Sequence, residues 1–214
     1  MSTKERIIDT AIELFNRHGA HSTTTNHIAE AMGISPGNLY YHYGNKEEII
    51  RHIFRRIVVD FDGVWIMPEG HVPGLSDVLN VFVETSNLYY RYRFFYLELA
   101  SLLARDPELK EAYRVNHDQR FRQQEEFFTW LIRQGYMRQM DSRDELYAHL
   151  TNGWIISDFW LHYLYSSGRE ITPENIRQSL YQVIYMVRPI LTENARTRID
   201  KAMKDFPVPL EFRR

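Results

Sequence analysis

The sequence contains no cysteine. That excludes a disulfide framework and any thiolate metal site. Long apolar runs are missing too: nothing approaches the ~18 uncharged apolar residues needed to span a membrane. Near the N-terminus Lys4, Glu5, Arg6, Asp9 and Glu13 interrupt every apolar stretch, so no signal peptide is expected. The expectation is a cytoplasmic protein with no membrane partner. Charge of one sign is also scarce. A formal net charge of −2 over 214 residues does not announce a nucleic-acid binder. Alternating strand patterns are absent, as are internal repeats and low-complexity segments. So are the enzyme signatures: Gly-x-Ser-x-Gly, a phosphate loop, a dinucleotide fingerprint and His-Glu-x-x-His. No cofactor and no metal site is expected.

What is present is a dense set of helix signals around Gly33-Ile34-Ser35-Pro36-Gly37-Asn38-Leu39-Tyr40-Tyr41-His42-Tyr43. Thr24 is placed to cap a helix running from Thr25 to about Met32. Ile28, Ala31 and Met32 fall at i, i+3 and i+4, which makes one face apolar. Gly33 follows, the residue type that tolerates the left-handed backbone just past a helix end. Ser35 then supplies a cap, and Pro36 suits the first helical position, where a missing N–H costs nothing. Two helices joined by so short a turn containing Gly make a helix-turn-helix. The second helix, about Pro36–Tyr43, is too short and too rich in Gly to be stable alone. Its Leu39/Tyr43 stripe must be held by neighbouring helices. Gly37, Asn38, Tyr40 and Tyr41 are left on the outer side, small or polar enough for base edges and phosphates.

These residues, with Thr24-Thr25, Ile28-Ala29 and Asn45-Lys46-Glu47-Glu48, resemble the DNA-binding region of TetR-family transcriptional regulators over residues 4–57. The family usually has Phe where this chain has Tyr43, and many relatives carry a basic residue where this chain has Pro36. The resemblance implies an all-α homodimer: an N-terminal three-helix head, a C-terminal helical bundle, and about nine or ten helices in all. It implies a DNA-binding domain over residues 1–50 and a ligand-binding and dimerisation domain over 51–214. The implied DNA contacts are Thr24, Thr25, Ser35, Pro36, Gly37, Asn38, Tyr40, Tyr41, His42 and Lys46, with Thr25 and Lys46 on phosphates. The implied partners are a double-stranded operator and a small-molecule effector. Residues 1–57 carry seven Lys and Arg against six Asp and Glu, a surplus of one. Five of the nine histidines (18, 21, 27, 42 and 52) lie in the same segment and would make it more basic in mild acid.

Along the rest of the chain, Ser2-Thr3-Lys4-Glu5 reads as a capping box. Ile8, Ala11, Ile12 and Phe15 give a stripe that ends before Gly19. Asn45 with Glu48 opens a helix carrying Ile49, Ile50, Ile53, Phe54 and Ile57. Two Pro and two Gly within Met67–Gly74 mark a loop. Beyond it the pattern is helical to about residue 191, punctuated by Asp106-Pro107, Gly135, Ser142–Glu145, Gly168 and Thr172-Pro173. Pro189 predicts a kink or stop. Phe206-Pro207-Val208-Pro209 reads as an extended tail.

Two features of the body go beyond packing. The stretch Trp154–Tyr165 is apolar nearly all round, which predicts burial on more than one side. In TetR-like proteins the last long helices form a four-helix bundle between subunits. That resemblance places Trp160, Leu161, Leu180, Val183, Ile184 and Val187 at a dimer interface. The second feature is aromatic density from Phe82 to Trp130. It suits a pocket for an apolar or aromatic effector, with Phe82, Asn87, Tyr89, Tyr90, Phe94, Phe95, Glu98, Phe128, Trp154 and Asp158 as candidate lining. Asp158 and His162, at i and i+4, could touch one metal ion, but two ligands do not make a site. The function expected is a ligand-responsive transcriptional repressor. Two alternatives stay open: a small-molecule-binding helical protein with a vestigial head, and a helical metal-dependent enzyme.

Overall fold

Ser2 opens the first helix, α1 (Thr3–His18), through a reciprocal capping box with Glu5. Gly19 stops it with a φ of +80°, a conformation that disfavours any residue with a Cβ. Helix α2 (Thr25–Ala31) begins at Thr24, whose side chain takes the His27 N–H while the His27 ring takes the Thr24 N–H. Gly33, at φ +66°, turns the chain into α3 (Pro36–His42), capped by Ser35. Asn45 then caps α4 (Lys46–Trp65) by accepting from the Glu48 N–H. All four capping positions follow the sequence signals.

The computed structural model describes residues 2–65 and 75–204. The loop expected over 67–74 and the tail expected over 206–209 lie outside the described residues. The helices that follow are α5 (Leu75–Arg91), α6 (Arg93–Leu97), α7 (Leu99–Arg105), α8 (Pro107–Arg133), α9 (Arg143–Ser166), α10 (Pro173–Val187) and α11 (Glu193–Lys204). A 3₁₀ turn, Arg188–Ile190, sits where Pro189 was expected to stop the helix. The described chain is all-α, with eleven helices rather than nine or ten. The surplus has identifiable causes. Asn16 accepts the Phe94 N–H and donates to the Arg91 carbonyl, so the groups that would join α5 to α6 are taken by a side chain. Helix α11 lies past the point where the apolar pattern was thought to end.

The chain divides into two compact units. One is Met1–Trp65 with Arg91–Tyr113, and the other is Ile66–Tyr90 with Arg114–Arg214. In the first, Ile7, Ile8, Ala11 and Phe15 of α1 are buried with Ile28, Leu39, Ile49 and Ile53. The Phe94 ring lies 5.0 Å from that of Phe15, and Phe95 stacks on Phe54 at 5.5 Å. Tyr92 is fully buried and donates its hydroxyl to Asp60. Burial and that hydrogen bond push its phenol well above the usual range. Asp106 caps α8 through the Glu108 and Leu109 N–H groups and pairs with Arg51 at 2.8 Å.

In the second unit α9 packs against α10, and the Trp160 indole donates to the Asn175 carbonyl. A separate apolar cluster gathers Met137, Met140, Val187, Ile190, Leu191 and Ala195, with Ile199 of α11 packed against it. Arg188 pairs with Asp200 through its two terminal guanidinium nitrogens, which ties α11 down. Within the protomer Ile155, Phe159, Tyr163 and Tyr165 of α9 are exposed, while Leu150, Trp160, Leu161 and Leu164 are buried.

Candidate nucleic-acid interface

Helix α3 has only seven residues, and a helix that short gains almost nothing from its own hydrogen bonds. Its position is set from beneath. Leu39 has no exposed surface, and Tyr43, the residue closing the helix, is buried. The Tyr43 hydroxyl meets His52 Nδ1 of α4 at 3.0 Å. Burial raises the Tyr43 phenol to about 12, and it lowers the His52 imidazole, helped by the positive charges of Arg55, Lys4 and Arg56.

With Leu39 and Tyr43 anchored, the opposite face turns outward. Ser35, Pro36, Gly37 and Asn38 are exposed. Tyr40 is 49% exposed and Tyr41 85%. The Tyr41 ring meets half-buried His42 edge-on, with ring centroids 5.2 Å apart. Tyr40 leans toward α2, its hydroxyl 3.0 Å from Thr25 Oγ1. Nine of the ten expected DNA contacts, Thr24, Thr25, Ser35, Pro36, Gly37, Asn38, Tyr40, Tyr41 and His42, therefore belong to one paired-helix segment of the first unit, joined by capping and by this side-chain tie.

The tenth, Lys46, is directed elsewhere. Its ammonium donates to the carbonyls of Ala20 at 2.6 Å and Thr23 at 3.0 Å, and reaches that of His21 at 3.5 Å. An ammonium has three donors. All three acceptors lie in the loop between α1 and α2, so the Lys46 ammonium is held against that loop.

Glu98 is placed differently from the pocket role expected for it. It accepts the N–H groups of Ala20 and His21 with its two carboxylate oxygens. Phe94 and Phe95 are core residues of the same unit. Phe82, Asn87, Tyr89, Tyr90, Phe128, Trp154 and Asp158 belong to the second unit. Among them Asn87 is exposed and Asp158 buried. Aromatic pairs there include His117 with Trp154, ring centroids 4.4 Å apart, and Phe121 with Tyr147. Among the described residues no group of three or more His, Cys, Asp or Glu could hold a metal ion. Sequence reasoning missed the bracket made by Asn16 and the hydrogen bond between Tyr43 and His52. Neither pairing has a local signal, since each joins residues through the tertiary fold.

A family model described as bacterial regulatory proteins of the tetR family matches residues 7–53. A second, TetR bacterial transcriptional repressor, matches residues 64–199, more than half of the chain. The chain belongs to the TetR family of transcriptional regulators. The solved structure of a TetR-family transcriptional regulator from Marinobacter aquaeolei is 31% identical, with a TM-score of 0.87 over 96% of this chain and 98% of that one. A transcriptional regulator from Saccharomonospora viridis, solved in complex with choline, shares the fold at 21% identity and a TM-score of 0.69, over 89% of this chain and 98% of that one. The negative transcriptional regulator IcaR of the biofilm operon in Staphylococcus epidermidis is 50% identical over 48 residues, 22% of this chain and 26% of that one. The matches to curated relatives thus span about a quarter of those proteins' length.

Proposed function

We propose that the protein is a homodimeric, ligand-responsive repressor that acts on double-stranded operator DNA in the cytoplasm. The observation that carries this reading is the split of α3 into a fully buried Leu39 face and an exposed Asn38/Tyr40/Tyr41 face. Each subunit lays that exposed face in a major groove, with Thr24, Thr25, Ser35, Pro36, Gly37 and His42 on the adjoining backbone. Residues 1–50 read DNA, and residues 51–214 serve assembly and effector binding.

Assembly uses α9. Ile155, Phe159 and Tyr163 recur at i, i+4 and i+8 and are exposed, as is Tyr185 of α10. A stripe of that kind on a TetR-family helix suits a two-fold bundle with a second copy. Trp160, Leu161, Leu180 and Val187 are already buried within one protomer. They therefore support the interface from behind, while half-buried Val183 and Ile184 stand at its margin.

The effector is a small apolar or aromatic molecule, held in the second unit among α5, α8 and α9. The aromatic pairs His117/Trp154 and Phe121/Tyr147 support that chemistry. A ligand relieves repression only by binding one of two states more tightly, so ligand and operator must weaken each other by the same factor. The test is a tryptophan-fluorescence titration of a candidate effector, with and without operator DNA. The reading expects unequal affinities, and identical affinities would remove that ligand from consideration.

A further inference from the structure

Resting on the regulatory reading above, we propose that Glu98 is a positioning residue for DNA binding. Its carboxylate fixes the loop that carries α2, so the α6–α7 junction is a mechanical input to the head that does not pass through α4.

The geometry centres on one peptide unit. The Ala20–His21 peptide has its carbonyl taken by the Lys46 ammonium at 2.6 Å, and its N–H by Glu98 Oε2 at 3.2 Å. The preceding N–H, on Ala20, goes to Glu98 Oε1 at 2.7 Å. The loop is thus gripped by an anion on its donors and a cation on its acceptors. Hydrogen bonds with one charged partner are the strong ones. Thr23 is buried and closes the same loop by donating to the Gly19 carbonyl at 2.8 Å. The next residue, Thr24, is the cap of α2. No free residue separates the clamp from the helix whose first residue holds Tyr40.

The sequence is shaped for this approach. A Cβ on Gly19 would lie 3.2 Å from Glu98 Oε1, so a side chain there would press on the carboxylate. Glu98 itself sits in the break between α6 and α7, where its backbone is not helical. The other ends of the break are tied to the same loop and helix. Arg105, the last residue of α7, lies 3.1 Å from His21 Nδ1, and Asn16 of α1 brackets the start of α6. A guanidinium only donates, so the imidazole nitrogen is the acceptor. Any shift of α6 or α7 therefore pulls on residues 19–23 directly, and through them on Thr24, Thr25 and Tyr40.

The test uses the full-length protein. Amide hydrogen exchange at Ala20 and His21 is read on the protein alone, and operator affinity is read at fixed salt with DNA that the wild type selects. Glu98→Ala is expected to speed exchange at both amides by at least about tenfold, while the amide of buried Leu39 keeps its protection. Operator affinity is expected to fall about tenfold. Glu98→Met keeps the bulk without the two acceptor oxygens and is expected to lose as much affinity and amide protection as Glu98→Ala, whereas a purely space-filling role would be rescued by it. Glu98→Ala and Lys46→Ala together are expected to cost less than the sum of the single changes, because both hold one peptide. Unchanged exchange at Ala20 and His21 in Glu98→Ala would overturn the proposal, and so would undiminished affinity despite faster exchange. A wild type that selects no DNA would contradict the regulatory reading instead, and the exchange result would still decide the clamp.

Discussion

The Tyr40 hydroxyl lies 3.0 Å from Thr25 Oγ1, which ties the outer edge of α3 to the first residue of α2. The two helices present their contact groups as one surface because of this bond and the buried Leu39 beneath it. The neighbouring Tyr41 is not tied in the same way. Its ring is turned to solvent and meets His42 edge-on.

Tyr41→Ala is therefore expected to leave stability within about 0.5 kcal/mol of wild type, as for other exposed positions. Operator affinity should fall by about 1–3 kcal/mol if the ring reaches base edges. Thermal melting and fluorescence anisotropy against operator DNA check the two halves separately. An unchanged affinity would remove Tyr41 from the interface.

Leu39→Ala probes the opposite face. Leu39 is fully buried, and large-to-small changes at such positions cost about 2–5 kcal/mol. The loss should fall on the head first, since Leu39 is the only fully buried side chain of α3. Denaturant unfolding followed by hydrogen exchange across residues 25–43 measures it. A cost near zero would mean that α3 is held by something other than its buried stripe.

Acid should loosen the same helix. His52 is lowered from 6.5 by burial and by three nearby cations, and its Nδ1 contacts the Tyr43 hydroxyl. Between the lowered folded value and 6.5, the unfolded chain takes up a proton that the folded chain resists. This contribution to stability is complete above about pH 6.5 and is lost as pH falls through the window below it. A nuclear magnetic resonance titration of His52 should give a value under 6.5. Tyr43→Phe, the residue common in the family, should keep the core plug and move the His52 value. A His52 that titrates at or above 6.5 would contradict this account.

Phe159→Asp separates assembly from folding. Phe159 is 48% exposed in the protomer, so a charge there should leave the protomer folded but break a two-fold bundle. Light scattering should show a dimer for wild type at micromolar concentration and a monomer for the variant. Leu180→Asp makes the contrast. It places a charge inside the protomer and should destabilise the fold by several kcal/mol. A wild-type monomer would contradict the bundle.

Local signals made much of this architecture legible. Ser2, Thr24, Ser35, Asn45, Ser142 and Thr172 each stand at a helix start, and their side chains accept the backbone N–H groups expected of them. Leu39 and Tyr43 face inward, as the 100° step between helical residues requires. Features that depend on distant partners were not legible. Glu98 reads as a pocket carboxylate until the fold brings it to Ala20. The placing of the Lys46 ammonium beside the Ala20 carbonyl likewise depends on the fold. The apolar girth of α9 was readable, but periodicity alone could not say which side is covered within one chain. Trp160 and Leu161 went inward, and Ile155 and Phe159 stayed out.

The most direct measurement is selection of genomic DNA fragments by the purified protein, run beside the Tyr41→Ala variant. The account predicts enrichment of fragments that carry two half-sites in two-fold symmetry. Their centres should lie about 34–36 Å apart, or a multiple of that, so that both α3 helices enter successive grooves on one side. The variant should recover them weakly. Equal recovery of all fragments by both proteins would contradict the claim that α3 reads DNA.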